Sequence, residues 1–196
     1  MDKNSPEHII IYRNIKHPRL EYKTGKLTLI LPKTHKNPEQ ILQKYQKWIQ
    51  RKQKAIKQAL QEAENKTIIK NRTEEQLKTL VNTLVQTYQK ELNTNINKIF
   101  YRKMKTKWAS HSHNNNLTVN TLLKYLPQDT IEYILYHETA HSIERKHNEK
   151  FWSIINKKFP DYQNKEKDLL TYWFLIQQEI NQHPNLQPKN KGTPHF

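Results

Sequence analysis

The chain has no cysteine, only two glycines, and half as many acidic residues as basic ones. Without cysteine there are no disulfides and no thiolate metal sites, so a transition metal has to be held by histidine, carboxylate or water. Two glycines among 196 residues disfavour glycine loops that cradle phosphates. They also remove the usual residue for stopping a helix. No N-terminal stretch reads as a secretory signal, and no apolar run approaches a membrane span. A cytoplasmic protein with no membrane partner is expected. Hydrophobic residues make up 34% of the chain, so the core is small beside a large solvated surface.

The shortage of acid leaves 34 Lys and Arg against 18 Asp and Glu, a formal charge of +16. A surface of this kind attracts polyanions and admits nucleic acid as a partner. The lysines are dispersed, however, and lysine and asparagine are abundant together, as AT-rich coding also produces. A generically basic, solvated surface accounts for the charge equally well.

Histidine is well represented, with 10 residues. His137-Glu138-Thr139-Ala140-His141 reads H-E-x-x-H, and His147 follows six residues later. On a helix, residues four apart stack roughly 6 Å apart along the axis. Two imidazoles so placed bind one zinc ion, and the glutamate beside the first reaches water at the metal. The preceding run, residues 130–136, is mostly apolar, so the helix is expected to be buried and its polar groups to need partners. His147 lies off the His137/His141 face of a continuous helix, at about 100° per residue. A break between about residues 143 and 148 is therefore required. Asn148 supplies a restart as an N-cap, followed by Glu149 and the apolar Phe151, Trp152, Ile154 and Ile155. His147 then sits on the turn before the cap, able to point back at the metal.

Along the chain, residues 8–12 and 27–31 are β-prone, with Gly25 between them and Pro32 ending the second; an antiparallel pair is expected. Pro38 and Glu39 open a helical pattern running through Ile41, Trp48, Ile49, Ile56 and Leu60. Thr73 and Gln76 form a capping box before a stripe of Leu77, Leu80, Val81, Leu84, Val85, Tyr88 and Leu92. Residues 98–104 read as a strand, and 117–120 as a short returning strand after the turn Asn114-Asn115-Asn116. Asp129 or Thr130 is placed to cap the histidine-bearing helix, and residues 165–180 form a last helix. Residues 181–196 hold three prolines and few apolar side chains, a flexible tail.

Several motifs in order resemble a known family. They are Met104-Lys105-Thr106-Lys107-Trp108-Ala109-Ser110-His111-Ser112, Leu117-Thr118-Val119-Asn120, Leu126-Pro127, the Ile131-to-His141 run, His147, and Phe151-Trp152. Together with Trp48-Ile49 and the strand before Pro32, they resemble the YgjP-like metallopeptidases over about residues 8–180. The resemblance implies an α+β, zincin-like fold of the minigluzincin type, with a small antiparallel or mixed sheet packed on helices. It implies a single domain over 1–180, made of an N-terminal hairpin and helix (8–70) and a core (73–180). It carries His137, His141 and His147 over as zinc ligands and Glu138 as general base, with Zn2+ as cofactor and a peptide or protein as substrate. The chain departs from the family at Ala109 (usually Gly), His111 (usually Cys), Thr139 (usually apolar) and Asn148 (usually Ser). His111 either fills the end of its strand or faces the metal cleft.

Hydrolysis at such a site needs Glu138 to take a proton from zinc-bound water and deliver it to the leaving amine. The strand over residues 117–120 is expected to pair with an extended peptide along its edge. Tyr136, Arg102 and His113 are unranked candidates for stabilising the oxyanion. Two alternatives stay open: a SprT-like DNA-associated protease acting on DNA-bound proteins, favoured by the basic charge, and a non-catalytic zinc-binding module, disfavoured by the intact Glu138.

Overall fold

The computed structural model describes residues 8–23, 26–35 and 37–182. The chain divides into two compact units, Met1–Glu62 and Ala63–Phe196. Gly25 and residues 183–196 lie outside the described residues, and with them the expected turn and most of the expected tail.

The first unit contains β1 (His8–Arg13), β2 (Arg19–Lys23), β3 (Lys26–Pro32), α1 (Pro38–Lys44) and most of α2 (Gln46–Ala63). The strand order is β1-β3-β2. The two β-prone runs do pair, but in parallel, His8 opposite Leu27 through Arg13 opposite Pro32. The antiparallel expectation is corrected by β2, which runs antiparallel to β3 and returns the chain once more. Its sequence, Arg-Leu-Glu-Tyr-Lys, is too charged to announce a strand by composition. Central β3 buries Leu27, Leu29, Ile30 and Leu31. The helical pattern after Pro38 is two helices rather than one, with the break at Tyr45 (φ −101°, ψ 11°).

The second unit is built on α3 (Glu74–Leu92), β4 (Lys98–Arg102), β5 (Ala109–His111), β6 (Asn116–Asn120), α4 (Gln128–Ala140), α5 (Glu149–Lys158) and α6 (Tyr162–Gln182), with a 3-10 turn at Thr121–Tyr125. The arrangement is α+β, as expected. The capping box on α3 forms in full: the Gln76 amide N–H donates to Thr73 Oγ1 at 3.1 Å, and the Thr73 N–H to Gln76 Oε1 at 2.8 Å. The stripe buries Leu77, Val81, Val85 and Tyr88. Asparagine does glycine's work here. The two described residues with positive φ other than glycine are Asn93, which ends α3 at φ 49°, and Asn115 at φ 52° in the β5–β6 turn.

The histidine-bearing helix α4 begins at Gln128 with Pro127 as its N-cap, without a side-chain cap. Neither Asp129 nor Thr130 caps it, because the chain already turns at Pro127, whose carbonyl accepts the Ile131 N–H at 3.1 Å. Its Ile131, Tyr133, Ile134, Leu135, Tyr136 and Ala140 are buried. Full burial stabilises the fold by roughly 1.5–3 kcal/mol for each large apolar side chain of this kind. The last helix extends beyond the expected 165–180 at both ends, and Asn181 and Gln182, expected in the tail, close it. Among the described residues no helix is long and apolar enough to cross a membrane.

The three-stranded sheet of this unit has the order β4-β6-β5. Central β6 pairs in parallel with β4 and antiparallel with β5. Asn120, at the end of β6, is fully buried and fully used. Its amide donates to the Met104 carbonyl (2.9 Å) and the Lys107 carbonyl (2.7 Å), and its oxygen accepts from the N–H groups of Met104 (3.2 Å) and Leu122 (3.1 Å). One side chain thus shapes the loop that delivers β5. Asn120→Leu strands four backbone groups, and a loss of about 3 kcal/mol is expected in urea unfolding.

Candidate active site

The site is assembled at the end of α4. Thr139, fully buried within the motif, hydrogen-bonds its hydroxyl back to the Leu135 carbonyl at 2.7 Å. A polar residue is thereby accommodated where the family usually has an apolar one. The helix stops at Ala140, earlier than the expected 143–148, and His141 is its C-cap (φ −65°, ψ −13°). The stop is a tightened right-handed turn: the Ser142 N–H donates to the Thr139 carbonyl at 3.0 Å and the Ile143 N–H to the Ala140 carbonyl at 2.9 Å. No glycine is needed. The Asn148 side chain then caps α5 by accepting the Phe151 N–H at 3.1 Å. His147 stands one residue before that cap, on the turn, as the spacing predicts.

The three imidazoles converge. One nitrogen from each of His137, His141 and His147 lies within 4.8 Å of the others, an arrangement able to hold a metal ion. His137 Nε2 is 3.0 Å from His147 Nε2. His141 donates its Nδ1–H to the Glu144 carbonyl at 3.0 Å, which leaves its Nε2 as the free acceptor. Burial, and secondarily the neighbouring His141 and His147, pushes His137 down to about 3, so its imidazole is neutral and keeps a lone pair. Burial likewise lowers His141. Three imidazoles facing one point suit zinc among the common divalent ions.

Aromatic rings seat these histidines. Phe151, fully buried, lies face to face with His141 (4.6 Å, 22°) and edge-on to His137 (4.9 Å). Trp152 stacks on His147 (5.6 Å, 30°) and, on Tyr162, at 4.8 Å and 18°. The Asn148 cap places both aromatic residues in the first turn of α5, next to the histidine the cap delivers.

Glu138 points at β5. The backbone N–H of His111 donates to its carboxylate, and Lys107 lies near, yet burial outweighs both and pushes the group up to about 7. Both residues line a cleft of about 550 Å³ whose wall also includes Trp108, His113, His137 and His141. His111 therefore faces the cleft rather than merely filling the strand end; its Nε2 lies 3.2 Å from Ser142 Oγ. Of the three oxyanion candidates, only His113 lines the cleft. Tyr136 is buried edge-on against Tyr88 and Phe159, and Arg102 is exposed over the Phe100 ring.

The edge strand is also different from expectation. β6 is flanked on both sides, so it has no free edge for a peptide. The Asn120 N–H bonds to the Trp108 carbonyl and the Ser112 N–H to the Asn116 carbonyl, which turns the even-numbered residues of β5 toward β6. The backbone groups of Ala109 and His111 consequently point the other way.

Glu166 carries no signal in the sequence, since it stands 29 positions beyond His137 on a charged stretch of α6. Its Oε1 accepts from the buried Tyr133 hydroxyl and lies 3.8 Å from His137 Nδ1, the nitrogen turned away from His147. At 3.8 Å this is an electrostatic contact rather than a hydrogen bond, and a negative charge there favours the Nδ1–H tautomer. Glu166→Gln is expected to weaken metal binding about tenfold, the low end for such partners because Glu166 is partly exposed. Competition against a chromophoric chelator measures this, with Tyr133→Phe as the control for loss of the phenol alone.

A family model described as YgjP-like, metallopeptidase domain, matches residues 55–172, more than half of the chain. No curated protein matches. Two solved structures are similar. The metallopeptidase zymogen abylysin of Pyrococcus abyssi has 22% identity and a TM-score of 0.40, over 53% of this chain and 95% of its own. The metallopeptidase zymogen jannalysin of Methanocaldococcus jannaschii has 26% identity and a TM-score of 0.41, over 51% of this chain and 97% of its own. With its three converging histidines inside the matched segment, the chain belongs to the YgjP-like metallopeptidase family.

Proposed function

We propose that this metallopeptidase is a zinc enzyme that hydrolyses peptide bonds, with His137, His141 and His147 as ligands and Glu138 as general base. The observation that carries the reading is the convergence of the three ligand atoms within 4.8 Å, beside a carboxylate held by the neighbouring strand. Zinc held there would polarise the scissile carbonyl and acidify the attacking water.

The chain's own residues supply the rest. The His111 N–H tethers Glu138, so its carboxylate is kept in the cleft at the end of the helix. From there it takes the proton of the attacking water and returns it to the leaving nitrogen. The outward backbone groups of Ala109 and the His111 carbonyl offer an extended substrate a short pairing edge along the cleft wall, the His111 N–H being taken by Glu138. Trp108, braced edge-on by Trp173 at 4.9 Å, gives that wall a rigid apolar surface. A purely structural metal site has no use for a buried carboxylate at this position, which disfavours the non-catalytic alternative.

Metal analysis and a quenched-fluorescence peptide library test the assignment together. Glu138→Gln is expected to keep about one equivalent of zinc while hydrolysis falls about 10²–10⁴-fold. His147→Ala is expected to lose both the metal and the activity. Undiminished hydrolysis in the first variant, or full zinc in the second, would remove the residue concerned from the role given to it.

A further inference from the structure

The lysines are dispersed along the chain, but the acidic residues that offset them are not. Residues 40–61 hold six cations and no Asp or Glu, in a chain whose overall ratio is 34 to 18. Helix α2 places Lys47, Arg51, Lys54 and Lys57 within about 120° of one another around its axis, at 100° per residue. All four are exposed, while Ile49, Ile56, Ala59 and Ala63 on the other side are buried. None of the four has a carboxylate partner among the described residues. Lys47, Gln50, Arg51 and Lys54 line one surface depression, and Gln58 and Gln61 continue the same face. Six cations with no counter-charge repel one another, a cost that an anionic partner reverses.

We propose that this face of α2 is a docking surface for duplex DNA. Lys47 to Lys57 covers about 15 Å of helix axis, at 1.5 Å per residue. Duplex DNA presents a phosphate charge about every 1.7 Å along its axis, so each cation has a partner within reach. The major groove, about 12 Å wide, admits an α-helix, and arginine and glutamine are the side chains whose forked donors match base edges there. Helical RNA is a poorer fit, because its major groove is deep and narrow. Single strands are held on aromatic platforms, and this face has none: the nearby Tyr45 and Trp48 are engaged by Lys44 and Lys52. An anionic membrane needs large apolar side chains on the helix to enter the acyl layer, and the face carries only Lys, Arg and Gln. Most of the face precedes residue 55, where the family match begins, and the proposal does not depend on the zinc site.

The test uses the full-length protein and a fluorescein-labelled DNA duplex, with anisotropy titrations between about 50 and 200 mM salt. The variant Lys47→Gln/Arg51→Gln/Lys54→Gln removes three charges from the face. Lys90→Gln/Lys98→Gln/Lys157→Gln removes three from scattered exposed positions of the second unit. The first is expected to bind at least about tenfold more weakly, with a log–log salt slope shallower by about 3, one for each lost phosphate contact. The second is expected to stay close to the unaltered protein. Equal losses in the two variants would reduce the binding to diffuse charge and overturn the proposal. So would tighter binding to phosphatidylserine vesicles, or to single-stranded RNA, through the same three residues. Thermal melts of both variants check that the fold is intact.

Discussion

Three imidazole nitrogens are held within 4.8 Å of one another, two of them 3.0 Å apart, close enough to share one cation. That convergence is the constraint around which the second unit is organised. It needs a helix that cannot rotate, a turn that ends it on time, and rings that cannot tilt. Burial of α4 on nearly every side meets the first need. The tightened turn at residues 140–143 and the Asn148 cap meet the second. Phe151 and Trp152, packed on the ligand rings, meet the third.

The neighbouring elements act through the same few atoms. Asn120 shapes the loop before β5, β5 brings the His111 N–H to Glu138, and Glu138 is thereby held in the cleft beside the ligands. From the other side, Glu166 on α6 joins the buried Tyr133 hydroxyl to the outer nitrogen of His137. Arg145 donates to the His113 carbonyl at 3.1 Å, fastening the ligand-bearing turn to the end of the β5–β6 hairpin. Each link is a hydrogen bond or, between Glu166 and His137, a close electrostatic contact. A substitution some distance along the chain can therefore reach the metal ligands through only one or two intermediates.

What could be read from the sequence was whatever local geometry encodes. The capping box at Thr73, the restart at Asn148, the His137/His141 spacing and the stripe on α3 depend on residues three to ten positions apart, and each appears as expected. The departures arise where partners are distant or local signals compete. The parallel pairing of β1 and β3 follows from a charged intervening strand with no apolar signature. The start of α4 was set by Pro127 in place of Asp129 or Thr130. Paired on both sides, β6 could not offer the edge assigned to it, because short strands of similar composition do not reveal which one lies in the middle.

By itself the sequence determined the three-histidine constellation, the glutamate beside it, and the α+β class, since spacing, capping and residue chemistry are local properties of the chain. Only the tertiary structure decided that Glu166 stands 3.8 Å from His137 Nδ1, that His111 lines the cleft, and that β5 is the edge strand beside that cleft. These depend on the packing of segments that lie far apart in the chain, and such contacts are set by the burial of a shared core rather than by any one segment's composition.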